Sequence, residues 1–169
     1  MNDGIAFETR VETWLRKHRG AAFTERRARV AGRVASRGHE VDVHAAMRTT
    51  LWIPLLAFAV FFGFVGLTGD NGGVFIAALC VGTLAIIAAA THRRHLWIEV
   101  KSGEANVRRD VVWKLLSQVT DARELRQDWT PSEVWIVARS GFDVDALRFA
   151  KESRIRCFVA QGGTIVEIR

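Results

Sequence analysis

The sequence predicts an α/β fold that is interrupted by a pair of strongly apolar helices. Alternating, strand-like segments are interspersed with segments that carry apolar residues at helical spacing, in the order helix, three strands, helix, strand, helix, two strands. Two long uncharged runs separate the second strand of this series from the third. With 169 residues, the chain is long enough for one modest domain with its own core.

The first predicted element is an amphipathic helix over residues 5–19, because four apolar residues recur on one stripe. These are Phe7, Val11, Trp14 and Leu15. A strand over 22–35 follows, in which odd-numbered arginines fit one exposed face. Gly38 then turns the chain into a second strand at about 39–46.

The second half of the chain predicts the remaining elements. After the apolar runs, residues 95–102 alternate as a third strand, and residues 107–127 have the apolar spacing of a helix. A compact apolar strand, a short helix and a hairpin complete the fold, at 133–138, 144–153, 155–160 and 164–168.

The two apolar runs predict a transmembrane helical hairpin. Residues 49–69 and 71–91 are two uncharged runs of 21 residues each, and Asp70 between them is the single charged residue of this segment. A helix of that length spans about 30 Å, which matches the hydrocarbon core of a bilayer. We expect membrane helices at about 49–68 and 74–91. The alternative, two helices buried in a core, is disfavoured because so small a domain could hardly cover them.

The flanks of the apolar runs predict an orientation. Arg48 precedes the first run, two arginines follow the second, and the connecting loop carries neither Lys nor Arg. Positive residues favour the cytoplasmic side. The sequence therefore predicts a two-span protein of the cell (inner or plasma) membrane with both termini in the cytoplasm. Residues 1–48 and 92–169 would form one discontinuous cytoplasmic domain, and 49–91 the hairpin.

The charge is strongly positive and unevenly distributed. The chain carries +6 overall and has a pI near 10.3. Residues 1–48 contribute +4, residues 49–91 contribute −1, and residues 92–169 contribute +3. Such a surface attracts phosphates, whether in nucleic acid or on anionic lipid, and charge alone does not separate the two.

Two carboxylates and a lysine form the candidate chemistry. Asp42 and Glu99 lie on strands that would be neighbours if the apolar insert were removed, and period-2 geometry places Lys101 on the face of Glu99. A carboxylate from each strand could bind one hard divalent cation, most plausibly Mg²⁺ or Mn²⁺. Such an ion activates water and offsets charge on a scissile phosphate, and Lys101 could stabilise that charge.

These residues carry a resemblance to a known family. The pattern of Gly4, Phe7 and Glu8 on an opening helix, then Glu40-Val-Asp42-Val, then Ile98-Glu99-Val-Lys101, resembles the PD-(D/E)xK nuclease superfamily. Within it, the chain looks like Mrr-like restriction endonucleases and Holliday junction resolvases, over about 1–46 and 95–169. The resemblance implies a restriction-endonuclease-like mixed sheet flanked by helices, which cuts DNA with a divalent metal.

Site residues are implied position by position. Asp42 and Glu99 match the metal carboxylates, Lys101 the catalytic lysine, and Glu8 the helix glutamate that supports the metal. Glu12 lies one helical turn further on and competes with Glu8 for that role. Gln118 matches a glutamine that some members place near the site, although an exposed helix residue needs no such explanation. The sequence departs from the family name at Val41, which stands where that name has a proline.

The partners expected from the sequence are DNA and the lipid bilayer, with a second copy of the chain as a further candidate and no small-molecule organic cofactor. Basic residues between the first helix and Gly38 are candidate contacts to DNA phosphates. They are Arg26, Arg27, Arg29 and Arg33. The alternative for these arginines is a positive collar against lipid headgroups.

The leading functional hypothesis is a membrane-anchored, metal-dependent endodeoxyribonuclease acting on the cytoplasmic face. The second is a catalytically inactive module of the same fold that tethers nucleic acid to the membrane and does not need Lys101. The third is a membrane scaffold that binds a protein partner, and it should be far less sensitive to salt than phosphate binding.

Overall fold

A computed structural model describes residues 3–19, 21–34, 38–48, 52–69, 72–91, 93–125 and 131–168. Over these residues the protein is α/β, with five helices and a six-stranded mixed sheet. The helices are α1 (Asp3–Arg19), α2 (Trp52–Thr68), α3 (Gly72–Thr91), α4 (Arg109–Leu125) and α5 (Val144–Glu152). The strands are β1 (Ala21–Val30), β2 (His39–Arg48), β3 (Arg93–Lys101), β4 (Glu133–Ala138), β5 (Ile155–Gln161) and β6 (Thr164–Ile168).

The element order and type expected outside the apolar runs are those observed. Bounds differ by a few residues: β1 ends at Val30, five residues before its predicted end. The last two residues of the predicted helix over 107–127 lie outside the described residues. The chain divides into unit 1, Met1–Met47 with Arg94–Arg169, and unit 2, Arg48–Arg93. The predicted division at 48/49 and 91/92 differs from this by one or two residues.

The sheet of unit 1 runs in sequence order from β1 to β6. β1 is antiparallel to β2, β3 to β5 are parallel neighbours, and β6 returns antiparallel to β5. The parallel strands β3 to β5 are connected through α4 and α5, as parallel pairing requires a crossover. β2 and β3, which carry Asp42 and Glu99, are adjacent in the sheet although two helices separate them in the chain.

Helices cover both faces of this sheet. On one face, α1 buries its predicted stripe of Phe7, Val11, Trp14 and Leu15 against Ile98, Trp135 and Phe158. On the other face, α4 and α5 bury a second core that includes Trp97 and Ile136. Each fully buried large apolar side chain stabilises the fold by about 1.5–3 kcal/mol. The two cores hold the central strands from both sides.

Strand β2 changes faces at Asp42. Val41 is packed in the core covered by α4 and α5, whereas Val43 is packed in the core covered by α1. Residues two apart in a regular strand share a face, so the backbone is irregular between these two valines. On β1, Arg26 is paired with Val43 and Ala28 with Val41, which puts Arg27 opposite Asp42. Arg27 has a φ of 53°, and we call this irregular point the crease.

The predicted transmembrane hairpin is wrong. In the described part of the chain, no helix combines the length and the apolar character that crossing a membrane requires. The helix described in the first uncharged run, α2, has 17 residues. At about 1.5 Å per residue, these residues are shorter than the roughly 30 Å hydrocarbon core. The expected two-span topology and membrane localisation are corrected with it.

Unit 2 consists of α2 and α3 packed on each other through small residues. A Cβ atom on Gly66 would lie 2.6 Å from the backbone nitrogen of Phe75, so only glycine permits this approach. Ala59 and Ala78 are buried in the same contact, next to Gly82 and Gly63 respectively. The phenylalanines of α2 are largely on the outer surface of this pair, including Phe58, Phe61 and Phe64.

Candidate active site

The predicted catalytic residues of β2 and β3 lie together at the crease. The backbone N–H of Val100 donates a hydrogen bond of 2.7 Å to Asp42 Oδ2, which ties the Asp42 side chain to β3. Beside it, Lys101 Nζ donates a hydrogen bond of 2.7 Å to Glu99 Oε1. Glu99 and Lys101 share a face, as their spacing predicted. Adjacent strands therefore bring two carboxylates and one ammonium group into a single polar site.

Asp42 is electrostatically strained. Its burial, and then the negative charge of Glu99, raise the pKa of Asp42 from 3.8 to about 6. The hydrogen bond from Val100 and the charge of Lys101 lower the pKa but do not offset the increase, and the charge of Glu8 raises it further. Burial and the two neighbouring negative charges thus outweigh the charge of Lys101 and the hydrogen bond from Val100.

The structure separates Glu8 from its competitor Glu12. The charge of Glu8 reaches Asp42, and its Oε2 lies 3.5 Å from Arg27 Nε. Glu12 is already occupied: it accepts a hydrogen bond from Thr24 at 2.8 Å and one from Arg16 at 2.9 Å. It also forms an ion pair with Arg26 at 3.2 Å. Glu8 is the glutamate of α1 that belongs with Asp42 and Glu99, which we call the carboxylate cluster.

The remaining predicted residues are not gathered there. Gln118 lies half-buried on α4, and within the described ranges it makes no hydrogen bond to Glu99 or Lys101. Arg33 forms an ion pair with Glu124 of α4 at 3.2 Å, and Arg29 is exposed on β1 opposite Glu40. Arg26 is held by Glu12. Of the four predicted DNA-contacting arginines, Arg27 is the one that reaches a member of the carboxylate cluster.

A histidine two residues beyond Asp42 contributes no charge to the site at neutral pH. His44 is buried and stacks on His95, with His44 Nε2 and His95 Nδ1 3.0 Å apart. Burial, and then the neighbouring His95, lower the pKa of His44 to about 4. The imidazole of His44 is therefore neutral at pH 7, and it packs edge-on against Phe23.

The donor chemistry of the cluster fits a hard divalent cation, whereas its present arrangement does not form a complete site. Over the residues that the structure describes, no three His, Cys, Asp or Glu side chains form a group that could hold a metal ion. Asp42 Oδ2 is taken by Val100 and Glu99 Oε1 by Lys101. Carboxylate oxygens are the ligands that Mg²⁺ and Mn²⁺ prefer. To bind the ion, the side chain of Glu99 would need to turn away from Lys101, and that of Glu8 away from Arg27.

Sequence reasoning did not identify the special position of Arg27. It assigned Arg27 to a general phosphate-contacting group, on charge alone. The distinguishing features are its φ of 53° and its pairing with Glu8. Neither is readable from an arginine in a strand-like segment, because arginine rarely adopts positive φ.

Comparisons with known proteins bear on the fold alone. No protein-family model matches the chain, and no curated protein matches it either. A crystal structure of a protein of unknown function, AF1548, is similar, with a TM-score of 0.54 and 14% sequence identity. The match covers 90% of this chain and 56% of that one.

Proposed function

We propose that unit 1 is a divalent-metal-dependent endonuclease that hydrolyses phosphodiester bonds in DNA. One observation carries this proposal: Asp42 lies with Glu99 and Lys101 at an irregular point of the sheet, where burial first, and then the charges of Glu99 and Glu8, raise its pKa to about 6. A shift of that cause and size, at a specific cluster, is typical of functional sites. The resemblance of the same residues to nuclease motifs supports the chemistry.

The energetics favour a functional origin for the cluster. Crowded carboxylates destabilise a fold, because each must ionise at neutral pH next to negative neighbours. A neutral residue at any of the three positions would relieve this repulsion. A divalent cation also relieves it. The carboxylates are therefore explained by a ligand of high positive charge, which is the requirement of phosphodiester hydrolysis by metal assistance.

Each residue has a distinct role in the proposal. Asp42 and Glu99 would hold the ion from adjacent strands, and Glu8 would support it from α1. The ion, when bound, lowers the pKa of water and offsets the charge that builds on the phosphate. Lys101 has 39% of its side chain exposed, so its ammonium group can turn from Glu99 to a phosphate oxygen. There it would stabilise the negative charge that increases as the bond breaks.

The basic surface supports a polyanionic substrate. The chain carries +6, and Arg29 is exposed on β1 within two residues of Arg27. Contacts of this kind position a phosphate backbone and carry no sequence preference of their own. DNA is the polyanion that the nuclease resemblance implies. Cleavage of the backbone rather than recognition of particular bases is the activity proposed.

The test is nicking of supercoiled plasmid by purified full-length protein with Mg²⁺ or Mn²⁺. The wild type should convert plasmid to open circles, and EDTA should stop the reaction. Asp42→Asn and Lys101→Met should each lower the rate by about 10³-fold or more, on the scale of lost charge stabilisation in active sites. Arg148→Ala is the matched control, since Arg148 is an exposed arginine that is paired with Asp145 on its own helix.

Two outcomes would contradict the proposal. Cleavage that persists unchanged in Asp42→Asn would assign the activity to a contaminant. No metal-dependent cleavage by the wild type, together with salt-sensitive binding of DNA, would favour the non-catalytic binding module instead.

A further inference from the structure

We propose, resting on the nuclease function proposed above, that Arg27 is a substrate-binding residue of the site: it neutralises Glu8 in the free protein and transfers its guanidinium to a backbone phosphate when the cluster binds a cation. Three features of Arg27 carry this inference. They are its backbone conformation, the direction of its side chain, and the looseness of its ion pair.

The backbone of Arg27 is held in an unfavourable conformation. Its φ of 53° lies in the left-handed region, within a strand and opposite Asp42. Residues other than Gly, Asn and Asp enter this region at a cost of roughly 1–2 kcal/mol. Such strain is concentrated at functional sites, where the surrounding structure maintains it. Glycine would satisfy the same turn without strain, so the arginine side chain itself requires an explanation.

The crease turns the side chain of Arg27 toward α1. Successive side chains of a regular strand point to opposite faces. Arg26 and Arg27 are successive, yet both are paired with glutamates of α1: Arg26 with Glu12 and Arg27 with Glu8. Beyond the crease, Ala28 is packed in the core on the opposite face of the sheet, which α4 and α5 cover. In a regular strand the side chain of Arg27 would point away from α1, so the positive φ brings it to the carboxylate cluster.

The pair between Arg27 and Glu8 is easily exchanged. The 3.5 Å separation of Nε and Oε2 is long for a charge-assisted hydrogen bond, which is usually 2.7–2.9 Å. More than half of the Arg27 side chain is exposed, against 14% of Glu8. The guanidinium has five donors in a planar fork that matches a phosphate. The exposed part of the Arg27 side chain is therefore accessible to a ligand that approaches from solvent.

The two roles of Arg27 follow from charge. In the free protein the guanidinium partly balances Glu8, which would otherwise add fully to the crowding at Asp42. A divalent cation at the cluster supplies that balance instead and repels the guanidinium. The phosphate of a bound DNA strand is then the nearest anion that Arg27 can satisfy. Binding of the metal and binding of DNA would thus be coupled, because Arg27 exchanges Glu8 for a phosphate.

Two substitutions separate this role from a purely structural one. Arg27→Gly keeps the positive φ without strain and removes the guanidinium, so the protein should not unfold at a lower temperature than the wild type. Arg27→Lys keeps a positive charge and loses the planar fork. Arg148→Ala again controls for the loss of an exposed arginine.

The experiment measures binding of a short DNA duplex by fluorescence anisotropy at several salt concentrations, with Ca²⁺ in place of Mg²⁺ so that binding is seen without cleavage. Arg27→Gly should weaken binding by about 10-fold and reduce the slope of log affinity against log salt by about one. Arg27→Lys should retain the slope. With Mg²⁺, kcat/KM for Arg27→Gly should fall by about 10- to 100-fold, as for a lost charged hydrogen bond.

The inference is overturned if Arg27→Gly binds with the wild-type salt slope, whatever its effect on cleavage. A lower unfolding temperature of Arg27→Gly with unchanged slope would equally overturn it, because Arg27 would then be a structural partner of Glu8. The salt slope is measured without catalysis. If Arg27→Gly reduces the salt slope but the wild type never cleaves DNA, the binding role of Arg27 is upheld and the proposed nuclease function is contradicted.

Discussion

Helix α1 presents two glutamates one turn apart to strand β1, and their surroundings are opposite in kind. Glu12 accepts hydrogen bonds from Arg16 and Thr24 and is paired with Arg26, with all these contacts at 2.8–3.2 Å. Glu8 has a loose pair with Arg27 at 3.5 Å and adds its charge to that around Asp42. The carboxylate of Glu12 has close donors and cations on its oxygens. The carboxylate cluster, which includes Glu8, has fewer positive charges than negative ones.

The difference is the one expected between a structural polar cluster and the cation site proposed here. A part-buried carboxylate that is fully hydrogen-bonded stabilises the fold and leaves nothing for a ligand to bind. A crowded carboxylate costs stability and is relieved by a cation. The spacing from Gly4 favoured Glu8 and left Glu12, one helical turn further on, as its competitor. Their partners on β1 separate them.

Between the two glutamates, the largest expected effect is on the rate of cleavage by Glu8→Gln compared with Glu12→Gln. Glu8→Gln removes a supporting charge from the cluster, so the rate of plasmid nicking should fall by about 10- to 100-fold, the range for lost supporting groups of a metal site. Glu12→Gln leaves the cluster unchanged, and its nicking rate should stay within about twofold of the wild type at a temperature where both are folded.

Stability should respond in the reverse order. Glu12→Gln leaves Arg16 and Arg26 without their charged partner, so the midpoint of thermal unfolding should fall. Glu8→Gln should leave it unchanged or raise it. A loss of nicking with Glu12→Gln equal to that with Glu8→Gln would remove the distinction between the two clusters.

The next effect is on stability, through the pKa of Asp42. Because folding raises that pKa from 3.8 to about 6, the folded state binds a proton that the unfolded state releases between these values. The contribution of Asp42 to the free energy of unfolding is fully present below about pH 4 and is lost as the pH rises through 6. Each pKa unit corresponds to 1.36 kcal/mol, so the loss is about 2–3 kcal/mol.

Asp42→Asn should therefore stabilise the metal-free protein at pH 8 by about 2 kcal/mol, and the gain should vanish near pH 4. Urea unfolding at the two pH values measures this difference. Asparagine can still accept the hydrogen bond from Val100. An Asp42→Asn variant that is less stable than the wild type at pH 8 would show that Asp42 is satisfied as a carboxylate and would argue against crowding.

Much of the fold was predictable because its signals are local. The stripe of α1 is buried as predicted, and the alternation around Glu99 places it with Lys101 on one face of β3. The apolar insert between β2 and β3 was visible in composition. Its interpretation as a membrane hairpin was wrong, since among the described residues no helix is long and apolar enough to cross a membrane.

The rest depends on tertiary geometry. The change of face between Val41 and Val43 contradicts the two-residue period of a strand. The positive φ of Arg27 belongs to a residue type that avoids it. Both irregularities lie where the proposed site is, as expected if function overrides local preference. Neither could have been inferred from the residue types alone.

The most direct measurement is thermal unfolding at pH 8 with and without Mn²⁺, in the wild type, Asp42→Asn and Glu12→Gln. If the carboxylate cluster binds a cation, Mn²⁺ should raise the unfolding midpoint of the wild type and of Glu12→Gln as its concentration increases, and leave Asp42→Asn unchanged. A wild type that does not respond to Mn²⁺, or an Asp42→Asn variant that responds equally, would contradict a cation site at Asp42, Glu99 and Glu8.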